Sequence, residues 1–439
     1  MPDGSRVCGC DEQDGLIAPD VALRILLDDA APVAREATMP AAAALGRVLA
    51  RAVVAESDLP PFDQAAMDGF GFTAVDCAAE APPRLGRRIA AGDAPGAAAA
   101  PGEAVRGPTR AAGPPRVAAL RRGEHAAAPP RQPRRGQNSR RRGEDGAGGA
   151  EVLPLGTRLG ARHVALLAAL GVPRVRVRDR VRVALLSNGN ELDGRQGLRD
   201  SNRPMLAAIL ASQPAEVEDL GLLPDDPARL AKVLRDAAAR ADLILSSGGV
   251  SGSDADHLPA ALAAAGGEVE VLRLAQKPGK PLAHGRVGGA RCLFLPGNPV
   301  AALVGVLTLG LPLLHRLAGL PAGAPRLTPC VLGDGFERQA GRVEYVPVRA
   351  IGETVEGLLL VERTGPAGSA RLRPLAAADG LLRVPAALEA VPAGAPLGMP
   401  PLQGVRGDGH RPPPPAARRG GPPPPRPPPP PPRLVGGGG

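Results

Sequence analysis

Residues Asp242–Asp256 read DLILSSGGVSGSDAD. The apolar run Leu243–Leu245 stops at two serines and two glycines, a polar loop with two aspartates follows, and a helical pattern begins at His257. This is how a strand hands the chain to a helix through a ligand-binding loop. The flanking segments repeat the alternation. Val181–Leu186 is a predicted strand ending in the loop Ser187–Glu191. Asp200 or Ser201 caps a predicted helix running to Ser212, with Pro204 in its first turn. Val217–Leu222 is a second strand, and Pro224–Pro227 opens a helix to Arg240. Asp242–Leu245 is the third strand, His257–Ala265 a helix, and Val269–Leu274 again strand-like. Strands and helices alternating at this spacing predict a mostly parallel sheet covered on both faces, with ligands at the carboxyl ends of its strands. That edge would carry Glu191, Asp225 and the Gly248-Gly249 turn.

Two further stretches converge on the same edge. Lysine is nearly absent: of 53 Lys and Arg residues only Lys232, Lys277 and Lys280 are Lys. Lys277 and Lys280 flank the Pro278-Gly279 turn, where a compact ammonium suits a phosphate or another small oxyanion. Pro296-Gly297-Asn298-Pro299 then opens a long apolar helix, with Asn298 as expected N-cap, offering free amides and a positive dipole end to an anion. The arrangement predicts a site of glycine turn, lysine pair, helix N-terminus and carboxylates. Neither a Walker motif nor G-x-G-x-x-G occurs, which excludes a P-loop or Rossmann nucleotide site. No Ser-His-Asp or Cys-His arrangement stands out, and the six histidines are scattered.

Before this region, Ile17–Leu27 and Ala41–Val54 have the apolar spacing of amphipathic helices. Asp58–Phe72, DLPPFDQAAMDGFGF, holds three of the six aromatic residues, and its Pro60-Pro61 forbids a helix. Asp63 and Asp68 there are either surface carboxylates on a packed turn or carboxylates held in a pocket. Arg87–Arg106 is punctuated for short strands. Residues 107–135 are almost wholly Arg, Pro, Ala and Gly, without strand or helix period. Gly160–Leu170 is a predicted helix and Val172–Val177 a strand. Beyond Arg326, short alternating segments such as Tyr345–Val348 and Gly357–Glu362 predict a small β domain. Residues 1–15 and 399–439 read as unstructured ends.

At 439 residues the chain is long enough for two or three domains. Its net charge of +9 comes mainly from 106–142 and the tail, which argues against a nucleic-acid partner. The five cysteines form no spaced metal or redox pair and fit a reducing compartment. The first twenty residues lack an apolar core, and Val300–Leu314 is short for a membrane span, so a soluble cytoplasmic protein is expected.

The segments DLPPFDQAAMDGF, GQNSRRRGED, SNGNEL, DSNRPM, SSGGVSGSDAD, KPGKPLAHGR and LPGNPVAAL stand in the order found in the molybdopterin molybdenumtransferase (MoeA) family, which the chain resembles from about Gly15 to Pro396. The gephyrin E domain is similar. The resemblance implies a multidomain α/β fold. A three-layer α/β molybdopterin-binding domain (179–320) would follow a mixed N-terminal region (16–178) and precede a small C-terminal β domain (326–398). It implies insertion of molybdate into adenylylated molybdopterin, releasing AMP and molybdenum cofactor with Mg²⁺, by a homodimer. Molybdopterin adenylyltransferase and molybdoenzymes would be partners. Matched by motif, Asp68, Asp145, Glu191, Asp256 and Lys277 are implied catalytic residues, Asp68 and Asp145 from the partner side. Gly248, Gly249 and Ser251 would surround the nucleotide, and Asp225 and Asp256 would face metal or adenylate. Arg273, Lys277 and Lys280 would meet phosphate or molybdate, beside Pro296, Gly297, Asn298 and, in the β domain, Ser369.

The chain departs from the family pattern in places. Where the family has Thr-Gly-Asp-Glu-Leu, Asn190 replaces a carboxylate, and Arg273 replaces a common Lys. Residues 107–135 replace an orderly Pro-Thr-Gly-Ala segment and strands, as a compensated frame disturbance in a GC-rich gene would. Two other functions compete with the insertase: a molybdopterin adenylyltransferase-like enzyme and a catalytically impaired MoeA-like scaffold. The segments before and after the α/β domain argue against the first, while the altered 107–135 stretch leaves the second open.

Overall fold

The computed structural model describes residues 15–73, 84–90, 93, 100–110, 118–120, 138–192, 194, 198–250, 257–365 and 370–402. Most of the expected unstructured ends and of 107–135, and the three site residues Ser251, Asp256 and Ser369, lie outside the described residues.

The sheet predicted around Asp242 has six strands in the order Ala215–Leu223, Val181–Asn188, Leu243–Ser247, Ala290–Leu295, Pro281–Val287, Glu268–Arg273. The first four are mutually parallel, and Pro281–Val287 alone runs against its neighbours. The central strands are apolar on both faces because both faces are covered. On one side lie the helices Pro227–Ala238 and His257–Ala264. On the other lie Asn202–Ala211 and the long helix Pro299–Leu317. Asp200 Oδ1 caps Asn202–Ala211 by accepting from the Asn202 and Arg203 amides, and Asp226 does the same for Pro227–Ala238. The 19-residue long helix is apolar enough to cross a membrane, but 78% of its apolar window is buried in the protein. Phe294, on the other face against Pro227–Ala238 and His257–Ala264, is fully buried. Truncation to Ala there would cost about 3–5 kcal/mol.

The N-terminal part departs from the expected pattern. Pro19–Asp28 is the predicted first helix, but its buried face, Ala22, Leu23 and Leu26, packs in the same core as the long helix. Ala41–Val54 is not a helix. After a single turn, Ala41–Ala43, it forms the strands Val48–Leu49 and Val53–Val54. Gly46, at φ +77°, ends the turn, and pairing with Arg174–Arg178 and Glu151–Leu153 buries Val48 and Leu49 more fully than one helical stripe could. Residues 36–54 thus share a small core with 151–178. The chain leaves that core at Gln64–Ala65, which pairs with Ser139–Arg140 where it returns. Within this excursion Gly69–Phe72 pairs with Glu103–Gly107, and Arg84–Arg88 lies alongside. Ala118–Leu120 also pairs with Gly69–Phe72, so the 107–135 stretch does contain a strand.

The C-terminal β domain closes on itself. Val343–Glu353, Leu359–Arg363, Thr328–Leu332, Pro396–Met399 and Gly380–Val384 form a ring in which the last strand pairs with the first. Closure leaves no free edge between these strands. The ring extends past the expected boundary: Met399 is buried, and Leu402 donates its amide to Asp379 O. A sixth strand joins from outside, for Gln276–Lys277 of the α/β domain pairs in parallel with Val343–Glu344.

Candidate active site

Parallel strands deliver their carboxyl ends to one edge. The four here end at Asn188, Leu223, Ser247 and Leu295, and the loops that follow line a cavity of about 890 Å³. The opposite wall is the 276–281 turn together with Arg342, Glu344 and Tyr345 of the barrel. Of the predicted site residues, Glu191, Asp225, Gly248, Gly249, Lys277, Lys280, Pro296, Gly297 and Asn298 all line this cavity. The wall thus carries Glu191, Asp200, Asp225 and Glu344 against Arg199, Lys277, Lys280 and Arg342. Such a mixed surface suits a ligand with both anionic groups and hydrogen-bond donors.

The glycine turn has a purpose that the sequence did not reveal. Gly248 and Gly249 have φ of +102° and +67°, which favours glycine. A Cβ on Gly248 would lie 2.6 Å from Asn188 O, and one on Gly249 would lie 2.7 Å from Asn188 Nδ2. The turn is therefore packed directly onto Asn188. Its Gly248 amide is committed to Leu295 O at 3.0 Å. Asn188, only 2% exposed, donates Nδ2 to Asp225 Oδ1 at 2.9 Å. Asp225 Oδ2 accepts from the Asn190 amide at 2.9 Å, and Asn190 Oδ1 accepts the Asp225 amide at 3.2 Å. The Asn190 that replaces a carboxylate thus clasps two loops together and fixes Asp225.

On the facing wall, Gly279 at φ +98° allows the tight return from Lys277 to Lys280, and Lys280 O accepts the Leu274 amide at 2.6 Å. Gln276, 1% exposed, donates Nε2 to Pro278 O at 3.2 Å. Asn202 ties the two sides of the strand edge by donating Nδ2 to Ser247 Oγ and to Gly297 O, each at 2.7 Å. Asn298 sits at the N-cap position with no side-chain capping hydrogen bond, so Pro299 and the helix geometry start that helix.

Three predicted residues are not brought to the cavity. Arg273 is exposed at the end of its strand, its carbonyl accepting from the Ile17 amide at 2.8 Å. Asp68 and Asp145 lie on two neighbouring segments of the N-terminal part. Asp68 Oδ1 accepts from the Thr109 amide and hydroxyl at 2.6 and 2.7 Å. Asp145 pairs with Arg140. Asp58 and Asp63 bind the same strip of chain, accepting from the Gly148 amide at 2.8 Å and the Arg142 amide at 2.7 Å. The Gly148 amide, then the Arg142 guanidinium, holds the Asp58 carboxyl below its usual range. In one chain these carboxylates form a surface of their own.

The sequence reading passed over Asn188, Asn202, Gln276, Arg342 and Glu344. Each is a polar residue inside or beside an apolar strand or helix, and that mismatch was the available signal. Glu344 is the clearest case, buried in the run Val343–Val346.

Three family profiles account for most of the chain. The one described as MoeA N-terminal region (domain I and II) matches 17–171, Probable molybdopterin binding domain matches 184–316, and MoeA C-terminal region (domain IV) matches 329–397. A molybdopterin molybdenumtransferase from Nostoc is 34% identical over 301 residues, 64% of this chain and 69% of that protein. Molybdopterin molybdenumtransferase 2 of Mycobacterium tuberculosis is 36% identical over 309 residues, 65% of this chain and 76% of that protein. The match to the Haemophilus influenzae molybdopterin molybdenumtransferase is 40% identical but spans about half of each protein, 43% of this chain and 48% of that one. The crystal structure of a molybdopterin biosynthesis moeA protein from Pyrococcus horikoshii superposes with a TM-score of 0.69 at 25% identity, covering 88% of this chain and 99% of that one.

Proposed function

The chain belongs to the molybdopterin molybdenumtransferase (MoeA) family of molybdenum cofactor biosynthesis, and on that footing we propose that it transfers molybdate into adenylylated molybdopterin, giving molybdenum cofactor and AMP. The observation that carries this reading is the cavity between the α/β domain and the barrel. One wall offers Asp225 on a fixed loop clasp, and the other offers Lys277 and Lys280 at a tight turn.

The reaction brings an oxyanion to a dithiolene and releases a phosphate, so positioning and charge are the protein's main contributions. In this reading Lys277 and Lys280, joined by Arg342, receive the oxyanion and the phosphate as it leaves. Gly248, Gly249 and Ser251 form the nucleotide side, and the Pro296–Asn298 turn with the start of the long helix completes the wall. Glu191 and Asp256 would act on the same edge, and Ser369 would approach from the barrel.

The residues fit the Mg²⁺ that the family resemblance implies. Mg²⁺ takes one or two carboxylates and completes its shell with phosphate oxygens and water. Each Asp225 oxygen accepts one hydrogen bond and can accept more, and the residue lines the cavity. Asp225, with Asp256, would hold the ion, whose chemistry is to screen the phosphate charge. Among the described residues no cage of three or more ligating side chains is gathered, consistent with an ion shared with the substrate.

We read the protein as a cytoplasmic homodimer in which Asp68 and Asp145 reach the cavity of the partner subunit, because in one chain they do not line their own. A molybdopterin adenylyltransferase would supply its substrate and molybdoenzymes would receive its product. The test is AMP release from adenylylated molybdopterin supplied with molybdate and Mg²⁺. Multiple turnover supports the insertase. Tight binding of the adenylylated substrate without AMP release would sink it and leave a scaffold.

A further inference from the structure

Lys277 sits on the cavity wall at the end of a four-carbon stem that is 48% exposed, and nothing in its own turn fixes the ammonium. The barrel does. Gln276 and Lys277 pair with Val343 and Glu344, and the Val343 amide donates to Ala275 O at 2.9 Å. This pairing sets Glu344 beside Lys277, with Oε1 2.9 Å from Lys277 Nζ. Glu344 is only 6% exposed, and a carboxylate so buried calls for cations beside it.

The second cation is Arg338, whose side chain is 2% exposed and whose Nε lies 3.1 Å from Glu344 Oε2. Arg338 cannot swing away. Its Nη1 donates to Pro385 O at 2.6 Å and Leu388 O at 3.0 Å, and its Nη2 donates to Arg342 O. Its Nε–H is not aimed at Glu344, so among the described residues Oε2 meets Arg338 as an ion pair without a hydrogen bond. Glu344 therefore stands between an immobile arginine on the barrel side and one movable lysine on the cavity side.

We propose that Glu344 is a positioning residue that holds the Lys277 ammonium in place for the oxyanion and makes the C-terminal barrel a working part of the site. The inference rests on Lys277 acting in the reaction proposed above. Removing the charge at constant shape frees the ammonium to wander over the wall, which slows the reaction more than it weakens substrate binding.

The experiment is a double-mutant cycle in the full chain: wild type, Glu344→Gln, Lys277→Met and the double variant, assayed for AMP release with melting temperature measured alongside. Glu344→Gln should lower kcat about tenfold and leave KM for adenylylated molybdopterin within about twofold. Lys277→Met should lose more, and the double variant should match Lys277→Met within about twofold, because Glu344 acts through the lysine. Glu344→Asp, which keeps the charge but draws it back from Lys277, should fall between wild type and Glu344→Gln. It replaces Glu344→Gln in the cycle if that variant does not fold. Losses that multiply in the double variant, or a fully active Glu344→Gln, would reduce Glu344 to an interdomain staple and overturn the proposal. A wild-type chain that releases no AMP overturns the functional reading, and this one with it.

Discussion

Asn188 Nδ2 donates to Asp225 Oδ1 across 2.9 Å, joining the ends of two adjacent parallel strands at the floor of the cavity. With the Asn190 amide on its other oxygen, Asp225 is oriented before any ligand arrives. Asp225→Asn keeps the shape, removes the charge and sets two amide groups against each other. AMP release should fall on the order of 10²-fold, with the melting temperature lowered by only a few degrees. A variant within threefold of wild type would remove Asp225 from the working parts of the site.

The same asparagine sets the tolerance of the glycine turn. Gly248→Ala places a methyl 2.6 Å from Asn188 O at a φ of +102°. Backbone on both sides must shift, so the variant should lose about 2–4 kcal/mol in denaturant unfolding as well as activity. An Ala variant of wild-type stability would show that the turn is not packed against Asn188 as described.

Asp68 and Asp145 are held on a strip of chain apart from the cavity, Asp68 by Thr109 and Asp145 by Arg140. If they serve the partner's site, Asp68→Asn and Lys277→Met disable different halves of it. Mixing the two inactive variants in equal amounts under subunit exchange should restore about a quarter of wild-type AMP release, since about half the dimers are mixed and each of these has one intact site of two. No recovery from demonstrably mixed dimers would show that Asp68 does not serve the partner's site.

His315, in the last turn of the long helix, meets Gln213 through Nε2 at 2.9 Å. Burial, and then the nearby Arg158 guanidinium, holds its imidazole below the usual value. Below about pH 6.5 the unfolded chain takes up a proton there that the folded chain refuses, so folding weakens as pH falls through that range. His315→Gln removes the penalty. Its melting temperature should drop less than that of wild type between about pH 7 and about pH 5. Parallel curves would show that His315 does not titrate differently on unfolding.

Much of the α/β domain was legible locally. An apolar run of five to eight residues ending in Ser-Gly, Asn-Gly or Pro-Gly can only bury itself as a covered parallel strand, and Asp226 or Pro299 at a helix start acts through its nearest neighbours. That is why Glu191, Asp225, Gly248 and Lys277 could be assigned to one edge before any coordinates. Ala41–Val54 could not be read this way. Its apolar spacing fits a helix, and only pairing with distant segments, Glu151–Leu153 and Arg174–Arg178, made strands the better burial. Nor could the sequence reveal that Gly248 is glycine on account of Asn188, or that Lys277 is held by Glu344. Side-chain period and turn chemistry are encoded within a few residues, so the sequence by itself determined which segments are strands, helices and site loops. Which strand pairs with which, and which buried charge finds a counter-charge, depends on packing between distant segments. Only the tertiary structure decided that the barrel closes over the edge of the sheet and sets Glu344 beside Lys277.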